Sequence, residues 1–349
     1  MNEHSIEGAS LRQLVRVVVA AAAFLAVVGL PAARAEDASD CYSRLNAYRA
    51  KARVAKASAS TLPALAKAAA SHAAYRVNVD PGDSVLLSDL GLPDLGLFGP
   101  DATAHLETAS LRPLGFTGVN PWDRTRAAKL AAGTWRYQFE DVTTATGIAL
   151  TDLQGVRSWI DAPYHRLPLL DANTRHVGCA GRERLVDGRR YAAEALEMAA
   201  TWKDTTRRIT VYPAPGQTGV PVSFNRCREH PSPFGGACEP TRPVQDVGYV
   251  VTLQADGYHA MKVQGIAFSK GSSHTPVPTY KAVRYRSSGS SLPRAALDGK
   301  LPANAAMLAA TAPLQPRTTY HVRVSGFVQA AKGGPWTRFR TRAWSFTTG

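Results

Sequence analysis

The chain has 349 residues, a formal net charge of +14 and 45% hydrophobic residues. This length suits two ordinary domains, and the apolar content is enough for packed cores, which excludes a disordered chain. The basic charge is scattered and comes with no nucleic-acid-binding motif, so a nucleic-acid partner is not expected.

Arg12 and Arg16 precede a short apolar run at 17–30, and Ala33-Arg34-Ala35 follows Pro31. A basic flank, an apolar core and small residues around a cleavage point describe a secretory signal peptide at 1–35, cut after Ala35. The run is shorter than the ~20 residues that cross a bilayer. No second run of spanning length follows, so the mature chain is expected to be secreted or extracytoplasmic, with no transmembrane segment. Its charge of +13 would draw it to anionic envelope polymers or lipid.

Four cysteines, Cys41, Cys179, Cys227 and Cys238, lie beyond the leader. An even number in an exported chain favours disulfides, and four cysteines allow three pairings. Cys227 and Cys238 bracket a Pro/Gly-rich loop and are expected to staple it. Cys41 and Cys179 would then tie the first helix to a later strand. Metal ligation by these cysteines has no C-x-x-C support.

Cys41, Leu45, Tyr48 and Ala52 recur at helical spacing behind Ser39, a candidate cap. Thr61 can cap a second helix with Leu62, Leu65, Ala69, His72 and Arg76 on one face. Residues 78–118 are rich in Gly, Pro and Asp and read as loop. Residues 121–132 suggest a short helix. Thr146 can cap another, with Ala149, Leu153, Val156 and Ile160 on one face, ending before Pro163. Two strands are expected at 176–185 and 190–199, joined by Val186-Asp187-Gly188. Near Lys203 the character changes. From Ile209 onward, runs such as ITVYP, VGYVVTLQ and TYHVRVSGFV alternate with Gly and Pro turns, which predicts a β-sandwich of the immunoglobulin kind. Residues 286–304 read as a long connection.

In chain order, Leu45-Asn46-Ala47-Tyr48-Arg49, Ala70-Ser71-His72-Ala73-Ala74-Tyr75, His105-Leu106-Glu107, Gly115-Phe116-Thr117-Gly118, Pro121-Trp122-Asp123-Arg124, Phe139-Glu140-Asp141-Val142, residues 159–166 (WIDAPYHR) and His176-Val177-Gly178-Cys179-Ala180 form an ordered set. The set resembles the CAP superfamily of cysteine-rich secretory, antigen 5 and pathogenesis-related 1 proteins, in its bacterial SCP-like extracellular branch. The resemblance implies an α+β chain: an α-β-α sandwich (the CAP fold) over 36–203, followed by an all-β Ig-like sandwich over 204–349. It also implies a cleft lined by two histidines and two acidic residues, able to hold a divalent cation such as zinc. Carried over, His105, Glu140 and His165 match three of the four positions and are the expected metal ligands. The fourth family position is Ala162 here, which leaves Asp161 and Glu107 as candidate cleft acids. Phe139 replaces the glycine usual before Glu140. The second half resembles a bacterial Ig-like module through residues 313–320 and the terminal Trp344-Ser345-Phe346-Thr347-Thr348.

Each residue also has a structural reading. Glu140 can pair with Arg124 or Arg126, His165 can cap a helix, His105 can be a surface residue, and His72 can be a satisfied core histidine. Tyr280, Tyr285, Tyr320, Trp336 and Trp344 can form a carbohydrate-stacking strip or core pairs. Arg338, Arg340 and Arg342 at period two are expected on one sheet face. No G-x-S-x-G, H-E-x-x-H, P-loop or Rossmann glycine set occurs. The expectation is an exported protein that binds a small amphiphile or a divalent cation in its cleft, without robust catalysis. The alternatives are a metal-assisted or acid/base hydrolase using the His/Glu cleft, and a wall-polymer adhesin acting through its basic β-rich half.

Overall fold

The computed structural model describes residues 34–35, 38–58, 62–79, 107, 114–226, 229, 233–234, 246–286, 292, 298–299 and 301–349. The expected leader through Ala33, His105, Cys227 and Cys238 lie outside these, and so does the expected Cys227–Cys238 bridge.

Five helices are present among the described residues: α1 (Ala38–Lys51), α2 (Pro63–Asn78), α3 (Pro121–Ala127), α4 (Gly155–Asp161) and α5 (Pro163–Leu170). Pro63, Pro121 and Pro163 each open a helix at a position where the missing N–H costs nothing. Asn120 caps α3 by accepting from the Asp123 N–H at 3.1 Å. Ser39, the expected cap of the first helix, lies inside α1.

The first sheet runs β1 (Arg34–Ala35), β3 (His176–Val186), β4 (Arg189–Thr201), β2 (Trp135–Thr146), all antiparallel. The β3–β4 turn places Asp187 and Gly188 at φ 49° and 78°, the geometry of a tight hairpin. The second half begins at β5 (Arg208–Tyr212) and contributes two larger sheets. One runs β11 (Thr279–Val283), β13 (Ala305–Ala310), β8 (Val251–Asp256), β5. The other runs β10 (Thr275–Pro276), β9 (Ala260–Lys270), β14 (Thr319–Gln329), β15 (Trp336–Thr347), with β12 (Tyr285–Arg286) beside β9. The short pair β6 (Ser223–Phe224) and β7 (Val247–Gly248) completes the strands.

Successive residues of a strand point to opposite faces, and β3 uses both. Gly178 meets α2 so closely that a Cβ there would lie 2.0 Å from the Ala66 nitrogen. Cys179, on the other face, is disulfide-bonded to Cys41 of α1. On that second face the helices do not end the stack. Residues of α1, α4, α5, β3 and β4 share one hydrophobic cluster with both large sheets of the second half. Leu167 of α5 packs with Val250, Met307 and Ala309. Strands β8 and β13 are buried along their whole length because they are covered on both sides.

This corrects the expected fold class. Among the described residues the chain is mostly β, with 42% in strands against 22% in helices, arranged as several antiparallel sheets; it is not a CAP α-β-α sandwich. The physical reason lies in strands that carry no clean alternation. β13 (AAMLAA) is apolar on both faces and shows no period-two pattern, and β2 (WRYQFEDVTTAT) alternates aromatic and polar residues only as far as Glu140, before Asp141-Val142 break the pattern. α5 was equally hidden by its internal Pro168.

Candidate functional site

Adjacent carboxylates on β2, Glu140 and Asp141, face opposite sides of the first sheet and enter different environments. Glu140 stands across from Glu197 of β4, which stands across from Gly178. Arg124 of α3 donates to Glu140 Oε2, and its Nε lies 3.8 Å from Glu107. His72 of α2 sits between two acids, with Nδ1 3.0 Å from Glu107 Oε1 and Nε2 3.8 Å from Glu140 Oε1. Glu107 also accepts from the Thr117 N–H at 2.6 Å and the Gly118 N–H at 3.2 Å. Gln138 bridges Thr125 and Glu197 at 3.0 and 2.9 Å. The side chains of His72, Glu107, Arg124 and Glu140 have no solvent exposure. Burial pushes the Glu197 carboxyl well above the usual range, and the Glu140 charge and its hydrogen bond to Glu197 push it further. This network ties Glu107 and residues 114–124 to the sheet, and among the described residues its side chains are closed to solvent.

Asp141 points the other way, toward His165 of α5. His165 Nε2 lies 4.0 Å from Asp141 Oδ1, and Nδ1 lies 2.9 Å from Glu229 Oε1. Glu229, from the second half, also accepts from the N–H groups of Tyr164 and His165 at 2.7 and 3.1 Å. It therefore places a carboxylate on the first turn of α5, where the N–H groups have no partner within the helix. Burial works against the charged imidazole. The Glu229 hydrogen bond and the Asp141 and Glu229 charges outweigh it and raise the His165 pKa to about 9.

The expected ligand set therefore does not assemble as read. Glu140 and His165 occupy opposite faces of the sheet and do not converge on one ion, and His105 lies outside the described residues. Glu140 and Glu107 belong to the buried network. Asp161, at the end of α4, accepts from the Tyr249 hydroxyl at 2.8 Å and lies 4.0 Å from Arg157. Asp141 and Glu229 are the acids that face His165. A one-residue register choice separated Asp141 from Glu140, and nothing local in the sequence connects Glu229 to α5. Among the described residues, Cys41, Cys179 and Glu194 also lie close together, but both sulfurs are in the disulfide and supply no thiolate.

Along the Asp141 face of β2, Phe139 and Tyr137 lead into a cleft of about 570 Å³ where the first sheet meets the second half. Phe139 is 40% exposed, and Leu167 and Pro168 continue the apolar wall. Asp171 forms the polar floor, accepting from Gln254 at 2.8 Å and Tyr137 at 3.3 Å. Burial raises the Asp171 carboxyl above its usual range. Arg136, His259 and Lys332 stand at the margin.

No protein-family model and no curated protein matches the chain. Among solved structures, an outer surface protein from Borrelia burgdorferi is similar over 48% of this chain and 98% of its own length, with 16% identity and a TM-score of 0.28. No helix among the described residues is long and apolar enough to cross a membrane.

Proposed function

We propose that the protein is exported and holds a small amphiphile with an anionic head in the cleft between β2 and the second half. The observation that carries this reading is the composition of the cleft: an exposed Phe139 with Leu167 and Pro168 on one side, and Arg136, His259 and Lys332 at the mouth. Apolar walls with a few convergent polar groups are the usual make-up of a small-molecule site. The leader at 1–35 and the Cys41–Cys179 bridge support export. The reading is binding without hydrolysis. The nearby His165 has its Nδ1 engaged by Glu229 and is cationic at neutral pH, so it has no lone pair with which to act as a base.

Oleate and oleyl alcohol, titrated against wild type and Phe139→Asp by fluorescence displacement, test the proposal. Oleate should bind wild type and be lost in Phe139→Asp, and Arg136→Gln with Lys332→Gln should weaken oleate but not oleyl alcohol. Equal oleate binding by wild type and Phe139→Asp would overturn it.

A further inference from the structure

Almost all of the net charge of the chain lies in the β-rich half. Residues 204–349 contain eighteen Lys and Arg against six Asp and Glu, whereas residues 36–203 contain twenty against nineteen. Of the six acids, Asp204, Glu229 and Asp256 are buried, and Asp298 accepts from the Tyr164 hydroxyl. The strands of the β10–β9–β14–β15 sheet, with β12, contain no acidic residue.

Strand register shows which cations share its outer face. Val322, Val324 and Val328 of β14 point inward, so His321, Arg323 and Phe327 point outward. Arg323 pairs with Ala267 and Ala343, and Phe327 pairs with Lys262 and Arg338. A bulge in β15 puts Arg342 opposite Val324 and Phe339 opposite Gly326. Arg338 therefore lies on the outer face while Arg342 lies on the inner one, which corrects the expectation that Arg338, Arg340 and Arg342 share a face. Of the five aromatics, Tyr320 and Trp344 are core residues, the second of the two readings given for them. Trp336 remains partly exposed, with Lys262 Nζ 3.9 Å above its ring and Tyr285 against its edge.

We infer that this outer face is a docking surface for an acidic polysaccharide. Arginines on the edge strand β15 could serve only to block edge-to-edge pairing. That reading does not account for Arg323, which is exposed on the interior strand β14 and makes no ion pair among the described residues. Small neighbours leave Arg323 standing in a shallow groove of about 460 Å³ lined by Ala267, Ser269, His321, Ala343 and Ser345. A polyanion gains from a row of cations on a face without carboxylates. Aromatic rings beside the cations suit a pyranose face better than a phosphate backbone alone, and no large aliphatic side chain protrudes from these strands to enter a lipid layer.

Binding of the purified protein to polygalacturonate, dextran, poly-glutamate, phosphatidylglycerol vesicles and duplex DNA tests this. Lys262→Gln/Arg323→Gln/Arg338→Gln should weaken polygalacturonate binding about tenfold or more, while the charge-matched Lys51→Gln/Lys56→Gln/Lys129→Gln changes it less than about twofold. Trp336→Ala should weaken polygalacturonate about threefold and leave poly-glutamate unchanged. Circular dichroism checks folding, and Arg323→Gln alone should show the same direction. Equal losses in the two triple variants would overturn a defined surface. Vesicles or DNA bound more tightly than polygalacturonate through the same three residues would overturn the polysaccharide.

Discussion

The two halves of the chain place their arginines differently. In residues 36–203, Arg49, Arg76, Arg124 and Arg166 are buried, and Arg124 lies among buried His72, Glu107, Glu140 and Glu197. In residues 204–349 the core between the large sheets is apolar, and no arginine among the described residues is buried. An inward charge must be paired, because an isolated ion in a low-dielectric interior loses its hydration without compensation. An outward charge in water needs no partner and remains available to another molecule. The same residue type, arginine, is therefore structural in one half and open to recognition in the other.

The sharpest way to break this contrast is Arg124→Leu. It leaves Glu140 and Glu107 buried without their guanidinium, and chemical denaturation should show a loss of about 3–5 kcal/mol. A loss below about 1 kcal/mol would show that the network is not a mutually dependent unit. Removing the bridge with Cys41→Ala/Cys179→Ala should cost about 2–4 kcal/mol, because it frees a long loop in the unfolded chain, and reduction of wild type should have the same effect.

His165 joins the two halves and gives a pH-dependent comparison. Its folded pKa of about 9 lies above the ordinary 6.5, so the charged form is favoured by folding. The stabilisation is complete below about pH 6.5 and disappears as pH rises through about 9. The stability difference between wild type and His165→Gln should therefore shrink between pH 6 and pH 9.5. A constant difference would mean that the Glu229 contact does not depend on charge. The smallest effect is expected outside: Arg338→Gln or Arg340→Gln should change stability by no more than about 0.5 kcal/mol, since both are exposed.

The sequence by itself determined the local pieces. Helix starts near Pro63 and at Pro121, the β3–β4 hairpin at Asp187-Gly188 and the strand-rich second half are governed by residues close in sequence, and the Cys41–Cys179 pairing followed from expecting one bridge in each half. The structural reading of His72 and the pairing of Arg124 with Glu140 were also legible, because buried polar groups must be satisfied. Only the tertiary structure decided the rest. β13 is a strand because β11 and β8 pair with both of its edges, not because its own pattern demands it, whereas β2 is an edge strand paired with β4, and its aromatic alternation from Trp135 to Phe139 is a local signal. Glu140 and Asp141 differ by one residue, and the pleat alone sends one into a sealed network and the other toward His165. Glu229 reaches α5, and Phe139 becomes a cleft wall, only when the second half packs against the first. The outer cationic face depends on a bulge in β15 that turns Arg342 away from Arg338. Each of these is a long-range outcome, set by which surfaces meet, and no local spacing encodes it.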